Sequence, residues 1–168
     1  MFRTEVLVLI ILAGSAFAQS GSIPAFEKFP AEVFTGKPVP PVLATPGQRR
    51  FRTRIREGAA QGPNFAGHFT IAEWGCGSAC IDAAVVDART GKVRDMPFEH
   101  LGYAYSLQYA DGVSERDDGF KPLQFSPNSR LLIVRGCLEL DQNCGAHYYE
   151  WTGSALKLLR KFKASPVP

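Results

Sequence analysis

The stretch Gly62 to Cys80, GPNFAGHFTIAEWGCGSAC, holds the residues of this chain that are best suited to chemistry. Cys76 and Cys80 are close together, and His68 and Glu73 shortly precede them. A cysteine nucleophile must be a free thiol with a base beside it. In an oxidising compartment, a neighbouring cysteine would instead close a disulfide. We therefore predict a strand followed by a disulfide-closed turn, and no cysteine active site.

Zinc binding is the second chemistry that these residue types could support. Cys76 and Cys80, together with His68 and His147, would make a tetrahedral Cys₂His₂ set. The spacing matches no familiar zinc motif, and the other two cysteines would compete both as ligands and as disulfide partners. We predict no metal site and no cofactor.

General acid–base catalysis is the third possibility, with His68 and Glu73 as weak candidates. Other carboxylates, Asp82 among them, are spread over several predicted strands, so the sequence cannot assemble a catalytic pair. The chain has no Gly-x-Ser-x-Gly elbow, P-loop or dinucleotide fingerprint. These observations favour a protein that is not an enzyme.

The N-terminus has the pattern of a secretory signal peptide. Val6 to Ala13 is an unbroken apolar run, too short to span a bilayer, which takes about 20 residues. Ala16-Phe17-Ala18 predicts cleavage before Gln19. We therefore predict a signal peptide at 1–18 and an exported chain, periplasmic or secreted, with no transmembrane segment after cleavage.

Export makes the four cysteines a disulfide framework, for which three pairings are possible. Glycine or other turn-forming residues separate Cys76 from Cys80 and Cys137 from Cys144, so each segment can fold back and join its own two cysteines. We favour these two local pairs, and the other pairings stay open.

The N-terminal part of the mature chain is predicted to be an arm followed by a helix. Residues 19–45 carry five prolines, which favour an extended arm that lies on the domain or forms a flexible leader. A single helix is predicted over 46–60, since Thr45 can cap it and Pro46 suits its first turn. Apolar residues recur there at every fourth position: Phe51, Ile55 and Ala59.

The rest of a single domain, 46–168, reads as β structure. Phe65 to Trp74 alternates as a strand does, and turn residues punctuate the later segments, in DARTGKV, SPNSRLLIV and around Thr152-Gly153. The predicted fold is mainly β: an antiparallel meander, sandwich or propeller-like sheet with one N-terminal α-helix and two local disulfides.

Two features are candidate binding surfaces. Five arginines between positions 49 and 56 could hold anions or an acidic partner, although a solvated helix face is the simpler interpretation. The aromatic residues of HYYEW are of types enriched at interfaces, although alternating aromatics also build cores. The candidate binding residues are Arg52, Arg56, Tyr148, Tyr149 and Trp151.

The segments GPNFAGHFTIAEWGCGSAC, D-x-x-T-G-K-V and SPNSRLLIV, with a late C…YYEW, together resemble a group of small exported bacterial proteins largely without assigned activity. The resemblance covers Arg49 to Leu159. Its most specific element is Asn64-Phe65-Ala66-Gly67 followed by Trp74-Gly75-Cys76-Gly77. SPNSRLLIV separately resembles β-propeller hairpins. The resemblance implies export and a β fold, and it brings no catalytic residue.

Three functions stay open. The leading hypothesis is a non-catalytic exported protein that binds another envelope or secreted protein, such as an inhibitor or immunity-type protein for a cell-wall-directed enzyme. The alternatives are a small envelope hydrolase that uses carboxylates or a histidine, and a sugar- or peptidoglycan-binding module. A formal net charge of only +3 does not call for a nucleic-acid partner.

Overall fold

Antiparallel strands dominate the computed structural model of the chain, which describes residues 22–103, 106–138 and 143–167. The predicted signal peptide lies outside these residues. The strands are β1 (Phe69–Gly77), β2 (Cys80–Asp87), β3 (Val93–Asp95), β4 (Leu101–Gly102), β5 (Leu107–Gln108), β6 (Leu123–Ser126), β7 (Ser129–Cys137), β8 (Cys144–Trp151), β9 (Leu156–Lys163) and β10 (Ser165–Pro166).

Within the described residues, the main sheet runs in the order β1-β2-β4-β7-β8-β9, with β3 beside β2 and β6 beside β7. A second, small sheet pairs β10 with β5. The mainly β fold that the sequence predicts is therefore confirmed. No described helix is both long and apolar enough to cross a membrane.

The main sheet curls strongly toward one of its faces. Four strand spacings separate β1 from β8, which would be about 19 Å in a flat sheet. Yet the rings of Phe69 on β1 and Trp151 on β8 pack edge to face with their centroids 5.0 Å apart. The inner face therefore closes over its own apolar side chains and forms the largest core cluster.

Two long hairpins, β1–β2 and β7–β8, meet at the short strand β4. Gly102 of β4 pairs with Cys80 on one side and with Cys137 on the other. The backbone oxygen of Gly102 lies only 2.4 Å from where a Cβ on Gly136 would stand. The two hairpins can thus approach this closely because β7 carries a glycine at the junction.

Disulfides join Cys76 to Cys80 and Cys137 to Cys144, with Cα atoms 5.3 and 3.8 Å apart. The predicted local pairing is confirmed. Each bridge closes the end of one long hairpin at the junction with β4. Two disulfides are consistent with an exported protein.

The first strand begins later than the sequence predicts. Phe65 to His68 form a turn before β1, in which Ala66 and Gly67 have φ angles of 45° and 86°. A Cβ on Gly67 would stand 2.3 Å from the backbone oxygen of Glu32, so this glycine lets the N-terminal arm pass close by. Apolar residues alternate through this turn as they do in a strand, so the sequence pattern did not reveal where the strand begins.

The predicted single helix is two helices, α1 (Pro46–Arg50) and α2 (Arg52–Ala60). Thr45 caps α1 as expected, in a reciprocal capping box with Gln48. Phe51 has φ −99° and ψ 20° and separates the two helices. The four-residue apolar spacing is preserved across this break, so the sequence pattern could not reveal it.

Helix α2 covers the outer face of the β1–β2 hairpin. Ile55 and Ala59 are buried there against Ala84 and Val86 of β2, as the apolar spacing indicates. Residues 22–45 lie along the sheet rather than free of it: the backbone N–H groups of Val39 and Val42 donate to the carbonyls of Ala88 and Gly91.

The outer face of β7 and β8 is covered by the arm and by the segment that contains β5. Phe26 and Phe29 of the arm pack beside Leu131 and Ile133 of β7. A buried polar group lies in the same layer: Asp111 accepts hydrogen bonds from Arg135 and from the Tyr148 hydroxyl. Burial raises the pKa of Asp111, but these hydrogen bonds outweigh it and the net pKa is lowered.

Gly58 tests the close packing of α2 on β1. A Cβ at this position would lie 2.5 Å from the Ala72 Cβ and 2.9 Å from its Cα. Gly58→Ala should therefore destabilise the protein by about 1–3 kcal/mol, although alanine is the better helix former. Gly47→Ala is the matched control, since the nearest atom is Thr45 Oγ1 at 3.8 Å. Denaturant unfolding should show a loss for Gly58→Ala alone.

His147 should make stability depend on pH. The residue is 1 % exposed, and burial, followed by the charge of Lys161, lowers its pKa to about 4. The unfolded chain, with a histidine pKa of about 6.5, binds the proton more readily, so stability falls as the pH falls through this window. Between pH 7 and pH 5 the loss should be about 2 kcal/mol. Chemical denaturation of His147→Gln should show a flatter dependence, and an unchanged slope would contradict this assignment.

Candidate functional site

A cleft of about 610 Å³ opens between α1, the start of α2 and the outer face of the β1–β2 hairpin near its disulfide. It falls within the size range of ligand sites, about 300–1,000 Å³. Cover by α2 ends at this point, so the last part of the hairpin is left accessible.

The register of β1 and β2 determines which side chains face the cleft. Thr70, Ala72 and Trp74 pair with Val86, Ala84 and Asp82, and directly paired residues share one face of the sheet. The first pairs lie under or near α2, whereas Trp74 and Asp82 line the cleft. The Phe51 ring stacks on Trp74 with 5.0 Å between centroids and supplies the apolar wall.

Gln48 ties α1 to the opposite side of the cleft. Its side chain is 4 % exposed, accepts from the Ala44 backbone N–H at 2.9 Å, and donates to Asp95 Oδ1 at 3.2 Å. One glutamine thereby caps the helix and orients a carboxylate at the end of β3. These hydrogen bonds fix α1 relative to the end of β3, which lie on two sides of the cleft.

Asp82 and His100 form a hydrogen-bonded pair in the cleft. Asp82 Oδ1 accepts from the His100 backbone N–H at 2.7 Å and lies 3.1 Å from His100 Nδ1. The Asp82 side chain is 11 % exposed and that of His100 is 51 % exposed. His100 also has a φ of 57°, a conformation uncommon for residues other than glycine. A buried carboxylate thus holds an accessible imidazole at a strained backbone position.

Carboxylates dominate the charge of the cleft. Asp82, Asp95 and Glu99 line it, together with Arg50 and His100. Among the described residues, neither Asp95 nor Glu99 has an ion-pair partner, and His100 is the sole partner of Asp82. An aromatic wall beside carboxylates, two of which have no ion-pair partner among the described residues, can bind a cation through charge and through the ring faces. The imidazole of His100 could also accept or donate a proton.

The structure places the predicted catalytic candidates away from this cleft. His68 precedes β1, and its Nε2 lies 3.8 Å from Asp87 Oδ1. Burial, then Arg89, lowers the pKa of His68 despite the nearby carboxylate. Glu73 lies in the middle of β1 and pairs with Ala83, roughly 17 Å from His68 along the strand. The two residues do not form a joint site.

The aromatic residues of HYYEW are core residues, which corrects their choice as surface candidates. Tyr148 is fully buried, Tyr149 is 7 % exposed and Trp151 is 2 % exposed. Alternation places Tyr148 in the outer cluster and the other two in the inner core, so both faces of β8 are covered. Arg52 and Arg56 are exposed on α2, as expected for candidate binding residues.

The structure does not bring together the zinc ligands considered from the sequence. His68 and His147 do not join Cys76 and Cys80 in a cluster of ligand atoms. In the described part of the chain, the cluster of potential ligand atoms is Cys76, Cys80 and His100, and the two sulfurs are joined as a disulfide. His147 is buried in β8, with a pairing position opposite Val134. The Cys₂His₂ set considered from the sequence is therefore not assembled.

Sequence reasoning missed most of the cleft residues. Asp82 was one carboxylate among several, and Gln48, Asp95, Glu99 and His100 were not selected. A weak signal existed in DMPFEH, where one acidic residue ends a short strand and a second acidic residue and a histidine follow it. The segment can be recognised as part of a site only in the folded chain, where it lies beside Asp82.

Removing the hairpin disulfide should weaken the protein without unfolding it. Cys76→Ser/Cys80→Ser should cost about 2 kcal/mol, because the closed loop is short and loop entropy grows only with the logarithm of loop length. Cys137→Ser/Cys144→Ser should cost about 2.5 kcal/mol for its longer loop. Denaturant unfolding without reductant measures both losses. Global unfolding of the first variant would instead show that its disulfide organises the hairpin.

Comparison with known proteins gives no family assignment. No family model, no curated protein and no solved structure matches the chain. The chemistry of the cleft is therefore the basis for assigning a function.

Proposed function

We propose that the chain is an exported binding protein whose cleft receives a cationic side chain of a partner protein. The observation that carries the proposal is the set of three carboxylates, Asp82, Asp95 and Glu99, around one accessible cavity. Their charge attracts a lysine or an arginine and disfavours an acidic group.

The aromatic wall suits the same kind of group. A lysine or arginine side chain carries an apolar stem that can lie along Phe51 and Trp74 while its charged end reaches the carboxylates. Arg50 already places its guanidinium carbon 5.6 Å from the centroid of the Phe51 ring, which illustrates a cation on this wall.

Helices α1 and α2 are rich in arginine and add a positively charged surface to the protein. Arg52 and Arg56 are exposed on α2, so a partner could place carboxylates on the helix and a basic side chain in the cleft. Such a surface is compatible with an inhibitor or immunity-type protein that blocks a cell-wall-directed enzyme. An envelope or secreted protein is the partner that export predicts.

Titration with short peptides tests the cleft directly. The probes are acetyl-Gly-Lys-Gly-amide, its norleucine analogue and its glutamate analogue, added to the ¹⁵N-labelled mature chain. The lysine peptide should shift the indole N–H resonance of Trp74 and the amide of Gly75, and added salt should weaken binding. The other two peptides should leave these resonances in place. Equal responses to lysine and norleucine would overturn the proposal.

Charge-neutral variants provide the specificity control. Glu99→Gln or Asp95→Asn should weaken lysine-peptide binding by roughly tenfold, because each removes a charged acceptor. Glu57→Gln is the matched control, since Glu57 is an exposed carboxylate on α2 that does not line the cleft. A loss of the same size in Glu57→Gln would mean that net charge, and not the cleft, governs binding.

The Asp82–His100 pair supports a second candidate, a small envelope hydrolase in which His100 acts as a general base. A carboxylate at Nδ1 holds an imidazole in the orientation that such a base needs. Incubation with purified peptidoglycan should then release soluble fragments, and His100→Asn should abolish the release. No release by the unmodified chain would eliminate this candidate with that substrate.

A further inference from the structure

The Cys76–Cys80 disulfide lies beside an ionisable side chain at an accessible position. Cys76 lines the cleft and is partly exposed, whereas Cys80 is 8 % exposed. A ring nitrogen of His100 and the two sulfur atoms all lie within 4.8 Å of one another. An imidazolium this close stabilises a thiolate that is released when the disulfide is cleaved.

Backbone pairing holds the strands around this disulfide as well as the bond itself does. The β1–β2 pairing reaches the end of the hairpin after an irregularity at Cys76, with Gly75 paired to Ile81 and Gly77 paired to Cys80. Gly102 of β4 holds Cys80 from the other side. Since backbone pairing already closes the hairpin and the cross-link of so short a loop contributes only about 2 kcal/mol, we expect the bond to open while the strands stay in place.

His100 is held in position independently of the cysteines. Asp82 accepts hydrogen from its backbone N–H and pairs with its Nδ1, at 2.7 and 3.1 Å. The positive φ of 57° turns the chain at this residue directly before β4. Strained conformations of this kind persist at functional sites because the surrounding structure enforces them.

We propose that Cys76–Cys80 is a thiol–disulfide exchange site, with His100 as the residue that stabilises the leaving thiolate. The substrate class is a pair of cysteine thiols on a partner protein. One substrate thiolate attacks Cys76 Sγ and forms a mixed disulfide. The electron pair of the cleaved bond goes to Cys80 Sγ, which takes a proton from the imidazolium of His100.

The second substrate thiol completes the transfer. It attacks the substrate sulfur of the mixed disulfide and releases Cys76 as a thiol, so the substrate pair is oxidised to a disulfide and the Cys76–Cys80 pair is reduced by two electrons and two protons. The same site can run in reverse and reduce a partner's disulfide. This inference does not rest on cation binding by the cleft.

The second disulfide of the chain is a matched internal control. Cys137 is 6 % exposed and Cys144 is partly exposed, close to the values for Cys80 and Cys76. Among the described residues, no histidine or acid forms a ligand-like cluster with Cys137 and Cys144, unlike the first pair. A difference in reactivity between the two disulfides therefore reports the surroundings of the first.

Reduction of the folded mature chain by dithiothreitol tests the site. Samples are quenched with an alkylating reagent over time, and mass spectrometry measures the loss of each disulfide. Cys76–Cys80 should be reduced at least about tenfold faster than Cys137–Cys144. Equal rates, or faster reduction of Cys137–Cys144, would overturn the inference.

Two substitutions separate the role of His100 from simple accessibility. His100→Asn should slow reduction of Cys76–Cys80 about fivefold or more, and asparagine also tolerates the positive φ of this position. His68→Asn, remote from the disulfide, should leave the rate unchanged. Reduction of Cys137–Cys144 should not change in either variant, which controls for general loosening of the fold.

The pH profile distinguishes a positioning role from a structural one. The rate constant per dithiothreitol thiolate should fall as the pH rises, because only the protonated imidazole of His100 can donate a proton to the leaving thiolate, and His100→Asn should abolish this fall. The charged groups that line the same cleft come from four segments. They are Asp82 on β2, Asp95 at the end of β3, Glu99 between β3 and β4, and Arg50 on α1. A profile that is identical in His100→Asn would refute the role of the imidazole.

Discussion

The central hairpin β7–β8 is buried on both faces, and the need to cover both faces shapes the rest of the structure. The inner face is covered when the sheet curls until β1 contacts β8. The outer face is covered by the proline-rich arm, β9 and the segment around β5. Each Å² of apolar surface that is buried stabilises the fold by about 25 cal/mol. These apolar contacts are therefore the dominant stabilising contribution.

The same requirement explains why a cleft exists. The β1–β2 hairpin also needs cover on its outer face, but α2 is short and ends its contact with the sheet near Ala72. Beyond this point Phe51 reaches Trp74, and the remaining part of the hairpin carries Asp82, a polar residue that does not require apolar cover. The end of the apolar pattern on one strand face therefore coincides with the start of the candidate site.

The proposed binding and the proposed thiol–disulfide exchange would use different parts of this site. Carboxylates and aromatic rings face the open volume, whereas the disulfide stands at its edge with His100 between them. Asp82 connects the two, since it contributes negative charge to the cleft and also orients the imidazole. A partner that places a basic side chain in the cleft would bring its neighbouring residues close to Cys76.

The sequence alone determined the local features, because each depends on residues that are near one another in the chain. Turn residues and alternation identified the later hairpins, loop spacing identified both disulfides, and Thr45 with Pro46 marked the start of α1. Asn64 acts over a similarly short range, since its side chain bonds to both backbone groups of Ile71.

Tertiary structure alone decided which residues became neighbours and which faces were buried. Alternation could not tell whether Tyr148 or Trp151 would meet solvent, because that depends on cover supplied by residues far away in sequence. For the same reason, Gln48 and His100 acquired a role only when α1 and the segment after β3 were placed on either side of Asp82. Sequence periodicity specifies a face of a strand, but long-range packing decides what that face contacts.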